Sequence, residues 1–173
     1  MNSEILETRI LHGLKNALGY RLVSIKYLCL EDEIDDISEF DQSIHYIGGE
    51  VHFSFESKNL IVTWDENAGW NDHFSVYAGQ EPLFLPDARM SSWDVTERQN
   101  WSGFIGASLS SVHIYGENNT PHVLKFLFGD QIVFIGDGRK NAFCDGDDTV
   151  ICFDENGFRS HQCEHIWELS AGA

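Results

Sequence analysis

The sequence predicts an α+β, mostly β fold: an N-terminal helix followed by a duplicated antiparallel β-sheet module that forms one sheet or a sandwich. Three observations predict it. The apolar runs recur in the same order. LVSIKY from Leu22, VHFSF from Val51 and LIVTWDENAGWNDHFSVYA from Leu60 are answered by LSSVHIY from Leu109, VLKFLF from Val123 and IVFIGDGRKNAFCDGDDTVICFD from Ile132. Most of these runs alternate apolar and polar residues, the period of a half-buried strand. Twelve Phe, five Tyr and five Trp in 173 residues favour strands and flat recognition surfaces over helical bundles. A repeat of about 70–90 residues is too long for a solenoid and reads as two halves of one domain. The halves run from 20 to 79 and from 107 to 154, joined by a crossover at 80–106, in a single domain spanning 1–173.

Residues 4–18 place Leu6, Ile10, Leu14, Ala17 and Leu18 at spacings of three and four, the stripe of an amphipathic helix, with Gly19 beyond it as the C-terminal cap. Val23, Ile25, Tyr27 and Cys29 then alternate with Ser24 and Lys26 as a strand. Val51, Phe53 and Phe55 alternate with His52 and Ser54, and the break at 56–59 turns the chain into 60–64 as a hairpin. The second half repeats this with Leu124, Phe126 and Phe128, a Gly129-Asp130-Gln131 turn and residues 132–135. Gly and Asp adopt the turn dihedrals there at little cost. Residues 74–77 and 150–153 close the two halves. Residues 80–101 contain Pro82 and Pro86 and no clean period, which reads as an ordered crossover with one helical turn near 95–101. The stretch from Asn156 ends in a strand around 165–169 or in a frayed tail.

Charge narrows the function classes. There are 28 Asp plus Glu against 11 Lys plus Arg, a formal net charge of −17. Such a field repels nucleic acid and anionic membranes and attracts cationic partners, although acidity can also serve solubility alone. No nucleic-acid or membrane partner is therefore expected. Cys29, Cys144, Cys152 and Cys163 form no CxxC pair and are too sparse for a disulfide scaffold, so reduced thiols are the simpler account. Glu4, Glu7, Arg9 and Lys15 interrupt the apolar positions near the N-terminus, which rules out a signal-peptide core there. A cytoplasmic protein is expected.

Four acidic or ligand-rich segments are candidates for chemistry or recognition. The run EDEIDDISEFD carries Glu31, Asp32, Glu33, Asp35, Asp36, Glu39 and Asp41, while Ile34, Ile37 and Phe40 recur every third residue. One side can anchor to the core while the carboxylates face water, either as a solvated turn or as a surface that pairs with Arg and Lys of a basic partner. The spacing is not that of an EF-hand. The loop GDGRKNAFCDGDD holds Asp137, Asp145, Asp147 and Asp148; these can present charge, ligate a hard cation or simply turn a hairpin. Its counterpart DENAGWND holds Asp65, Glu66, Asp72 and Trp70, the last a candidate interface anchor. HQCEH sets His161, Cys163 and His165 at alternate positions, on one face of a strand, where Cys144 or Cys152 can complete a tetrahedral set; ordinary strand side chains are the alternative. No nucleophile elbow, zinc-protease helix, phosphate loop or dinucleotide fingerprint is present, so no catalytic residue, cofactor or resident metal is expected.

The passages WSGFIGASLSSVHIYG, IVFIGDG and CDGDDTVICFDENG, with the acidity and the aromatic loops, resemble the immunity proteins of bacterial contact-dependent growth inhibition and related toxin systems. The resemblance is one of style, covers roughly the C-terminal 70 residues, and carries no residue across by position. It implies a protein that binds a cognate toxin domain, often a basic nuclease, and occludes its active site or substrate groove without chemistry. On that reading the partner-binding residues are Glu31, Asp32, Glu33, Asp35, Asp36, Trp70, Asp72, Asp137, Asp145, Asp147 and Asp148. The protein is a monomer or a homodimer paired through edge strands. Two alternatives stand beside it: a metal-dependent hydrolase using Asp145, Asp147 and Asp148 with His161 and His165, and a structural or adaptor domain.

Overall fold

The computed structural model describes residues 3–30, 34–64, 74–79, 89–117, 120–138, 149–155 and 163–172. Helix α1 (Ser3–Ala17) leads into β1 (Leu22–Leu30), and a 3-10 turn (Ile37–Asp41) precedes β2 (Ile44–Ile47), β3 (Glu50–Phe55), β4 (Asn59–Trp64) and β5 (Phe74–Ala78). Strand β6 (Met90–Asp94) and the short helix α2 (Gln99–Ser102) follow, then β7 (Leu109–Glu117), β8 (Thr120–Phe128), β9 (Gln131–Asp137), β10 (Thr149–Cys152) and β11 (Glu164–Ser170). The fold is α+β and mostly β, in two sheets ordered β5-β4-β3-β1-β6 and β11-β7-β8-β9-β10-β2.

The duplication extends to the register. In the first sheet β1, β3, β4 and β5 form an antiparallel meander and β6 returns beside β1; in the second, β7, β8, β9 and β10 do the same and β11 returns beside β7. Leu22 pairs with Phe55, Ile25 with Phe53 and Tyr27 with Val51; Leu109 pairs with Phe128, Val112 with Phe126 and Ile114 with Leu124. Both pairings carry an irregularity at the same place, between Leu22 and Ser24 and between Leu109 and Ser111. A shared bulge is a positional feature of the ladder, not a defect.

One buried cluster draws on both sheets. Phe53 of β3 meets Phe126 of β8 with ring centroids 5.4 Å apart, and Phe55 stacks on Phe128 at 6.4 Å, so equivalent residues of the two halves face each other across the core. Helix α1 runs along β5 and adds Ile10, Leu14 and Ala17 to the cluster. Gly13 permits that approach, because a Cβ there would press on Val76 Cγ1 at 3.0 Å and Val76 O at 3.1 Å.

Two elements depart from the sequence expectation. The stretch read as a crossover contains β6, which pairs with β1 from Lys26↔Asp94 to Leu30↔Met90, and the helical turn lies at Gln99–Ser102. Strand β2, which no alternation announced, leaves the first half and completes the second sheet beside β10, from Thr149↔Ile47 to Cys152↔Ile44. Its isolation is explained by its length of 4 residues, too short for a period to register. The C-terminal stretch resolves as β11, a strand and not a frayed tail.

Candidate functional site

The two halves differ most where β1 passes to β3. In the second half β7 and β8 are separated only by residues 118–119, whereas residues 31–49 intervene in the first half and carry the 3-10 turn and β2. That insertion holds the described part of the acidic run.

Asp36 caps the 3-10 turn. Its Oδ1 accepts from the Ser38 N–H at 2.8 Å, while Glu39 Oε1 reaches back to accept from the N–H groups of Asp35 at 3.0 Å and Asp36 at 3.3 Å. This reciprocal arrangement satisfies backbone donors that the short turn leaves open. The Ser38 bonds hold the Asp36 carboxyl below its ordinary value, so it stays ionised at any neutral pH. Ile34 and Phe40 are buried while Asp35, Asp36, Ser38, Glu39 and Asp41 are exposed, which is the anchored shelf that the every-third-residue spacing predicts. Arg98, before α2, pairs with Asp41 at 3.2 Å and ties the shelf to the stretch before β7.

The shelf rests on a buried polar chain. Trp101 Nε1 donates to Tyr27 Oη at 2.6 Å, Tyr27 Oη bonds His45 Nδ1 at 2.8 Å, and His45 Nε2 bonds the Gln42 carbonyl at 2.8 Å. Since a carbonyl only accepts, Nε2 carries the proton and Nδ1 accepts from the tyrosine hydroxyl. Asn100 Nδ2 donates to the same Gln42 carbonyl. The Phe40 ring packs edge-on to Tyr27 at 4.9 Å and tilted on His45 at 5.4 Å, and Phe153 closes the other side of His45 at 5.1 Å. Burial pushes the His45 imidazole down to about 4 and the Tyr27 phenol well up, so both are neutral near pH 7. With every polar atom partnered and neither group poised to titrate, the chain is a scaffold, not acid–base machinery.

Above it opens a cleft of about 240 Å³ lined by Ile34, Glu39, Phe40, Gln42, Ile44, His45, Tyr46 and Gly48. Its walls combine apolar stems with a carboxylate rim and the exposed ring of Tyr46. A Lys or Arg side chain suits such a cleft, since its stem packs on apolar surface while its head meets a carboxylate.

Of the predicted partner-binding residues, Asp35 and Asp36 lie on this shelf, and Asp137 ends β9. Glu31, Asp32, Glu33, Trp70, Asp72, Asp145, Asp147 and Asp148 lie outside the described residues, as does His161. Whether the two acidic loops share an edge therefore also falls outside them. Cys163 and His165 are not brought to a common ligand set with Cys152. Cys163 packs on the small cluster of Val123, Phe134 and Cys152, whose thiol burial raises, while His165 stands with His113 and Glu168. Cys29 and Cys152 are buried and Cys163 is partly exposed.

Sequence reasoning missed a second ionisable pair, in which only the carboxyl partner is buried. Glu50 is fully buried and accepts from His52 Nε2 at 2.5 Å. The signal was present in the alternation of EVHFSF, which puts Glu50 and His52 on the strand face opposite Val51, Phe53 and Phe55. A buried carboxylate needs such a partner, and the pair reads as local satisfaction of charge. No described helix is long and apolar enough to cross a membrane.

No protein-family model matches the sequence, and no curated protein or solved structure is significantly similar to it.

Proposed function

We propose that this chain is an immunity-type binding protein that neutralises a toxin domain by covering its active site or substrate groove, with the acidic insertion as the contact surface. The observation that carries the reading is the asymmetry of an otherwise repeated frame. Residues 31–49 have no counterpart of similar length in the second half, and they present Asp35, Asp36 and Glu39 to solvent on a turn anchored by Phe40. Function commonly resides on loops held by a rigid scaffold.

The chemistry favours a basic partner. A net charge of −17 draws a cationic surface from a distance, and carboxylates fixed by backbone N–H bonds meet Arg and Lys without first losing side-chain freedom. Held in that way they imitate the phosphates that a basic nuclease would otherwise bind. Tyr46 and the cleft beside it supply the apolar contact that charge alone does not. The reading places the protein in the cytoplasm, where its thiols stay reduced and where such a toxin would act.

The experiment is association with the protein encoded immediately upstream, followed by stopped flow across ionic strengths. Asp35→Lys is the informative variant, because Asp35 contributes to the turn only through its backbone N–H. On this reading its association rate at low salt falls about tenfold and the salt dependence flattens. An unchanged rate and slope would remove the shelf from the interface.

A further inference from the structure

We propose that His113, His165 and Glu168 form a binding site for a first-row divalent transition-metal ion, with Zn²⁺ the best match, on the outward face of the second sheet. This site is independent of the acidic insertion and of the toxin-binding reading.

The register creates it. Tyr115 pairs with His165, Ile114 with Trp167 and His113 with Glu168, and the ladder shifts between His165 and Trp167. In a regular strand, residues three apart point to opposite faces. The extra residue Ile166 cancels that alternation, so His165 and Glu168 share the face of His113 and Tyr115 while Trp167 packs on the core with Ile114. Bulges of this kind re-aim side chains and are common beside functional sites.

One ligand atom from each of the three residues lies within 4.8 Å of the others, and His113 Nδ1 stands 3.8 Å from Glu168 Oε2. Ligands on a tetrahedral zinc at about 2.0–2.2 Å stand roughly 3.3 Å apart, so modest side-chain rotations close the set. The Tyr115 ring, edge-on to His165 at 5.3 Å, limits the orientations open to the imidazole. His113 and Glu168 side chains are 23% and 51% exposed, leaving an ion a path in and room for water or a fourth ligand. Two imidazoles and one carboxylate select zinc, cobalt or nickel over the hard cations magnesium and calcium.

The first half supplies an internal control. There Lys26 pairs with Asp94, Tyr27 with Trp93 and Leu28 with Ser92, without a bulge. The same frame thus stands with a fixed cation where the second half has His113 and a serine near the place of His165. Neither the histidines nor the bulge is required to make the strand pair.

The test is a Co²⁺ titration of the full chain followed by visible absorption, with competition by Zn²⁺ and Mg²⁺. One equivalent of Co²⁺ should bind with a ligand-field spectrum that Zn²⁺ abolishes and Mg²⁺ leaves intact. His113→Lys and His165→Ser, which install the first half's side chains, should each weaken binding by about tenfold or more while keeping the wild-type circular dichroism. Asp145→Asn and His161→Gln should have no effect. In wild-type protein, Zn²⁺ should move the ring resonances of His113 and His165. Absence of saturable binding, retention of full affinity by both histidine variants, or movement of other histidines alone would overturn the proposal.

Discussion

Arg21 and Ser108 face each other across an isolated antiparallel bridge, and the hydrogen bonds on one side of it are answered on the other. Gly19 N–H donates to Leu109 O at 2.9 Å and Gly106 N–H to Leu22 O at 2.8 Å; Leu22 N–H donates to Ala107 O at 2.9 Å and Leu109 N–H to Tyr20 O at 3.1 Å. The bridge marks a local two-fold relation between the starts of β1 and β7, and it ties the sheets together where each meander begins. Backbone groups that would otherwise be orphaned at two strand ends satisfy one another.

The glycines on either side of the bridge share a backbone state, with φ of 82° at Gly19 and 81° at Gly106. A Cβ at Gly106 would meet nothing within 4 Å, and one at Gly19 would touch only Ala171 Cβ at 3.8 Å. The expected cost of Gly19→Ala or Gly106→Ala is therefore left-handed backbone strain alone, about 1–2 kcal/mol each. Urea denaturation checks it, and the two losses should be alike.

Gly49 is required for a different reason, because its Cβ would overlap the Leu28 carbonyl oxygen and β1 cannot recede without breaking its pairing with β3. Gly49→Ala is expected to yield no cooperatively folded protein, as judged by circular dichroism and by solubility on expression.

Tyr27→Phe removes one oxygen and strands two buried groups, Trp101 Nε1 and His45 Nδ1. Each unsatisfied group costs about 1–3 kcal/mol, so a loss of roughly 3 kcal/mol is expected from the urea midpoint, more than a single hydrogen bond would give. A loss under about 1 kcal/mol would show that the chain contributes little to stability.

Acid should reveal His45. Its imidazole is held at about 4 in the fold against an ordinary 6.5, so between those values the unfolded chain takes up a proton that the native state refuses. The contribution of His45 is constant above pH 6.5, declines as pH falls, and has cost about 3 kcal/mol below pH 4. Asp36 and Asp94, whose carboxyls hydrogen bonds lower from 3.8, add a further loss only at more acid pH. Urea midpoints at pH 7.5 and 4.5 measure the histidine's part, and His45→Gln should flatten the decline.

The meanders were legible because their strands are long enough for alternation to show, and the hairpin at Gly129, where φ is 62°, announced itself by turn chemistry. Strand β6 was not, because its residues are half-buried or exposed at a sheet edge and give no apolar stripe. Its kinship with β11, Trp93-Asp94 answering Trp167-Glu168, is hidden by the insertion at 31–49, which makes the spacing between equivalent strands unequal. The shelf was readable from Ile34, Ile37 and Phe40. The polar chain through His45 was not, since Tyr27, which bonds His45, also bonds Trp101 74 residues further along the sequence, and they meet only in the fold.

The most direct test of the proposed function is bacterial survival when the protein encoded immediately upstream is expressed with and without this chain. The account predicts that the wild-type chain and His113→Lys both restore growth, and that Asp35→Lys, which leaves the hydrogen bonds of the turn in place, does not. Killing unrelieved by the wild-type chain, or full protection by the shelf variant, would contradict it.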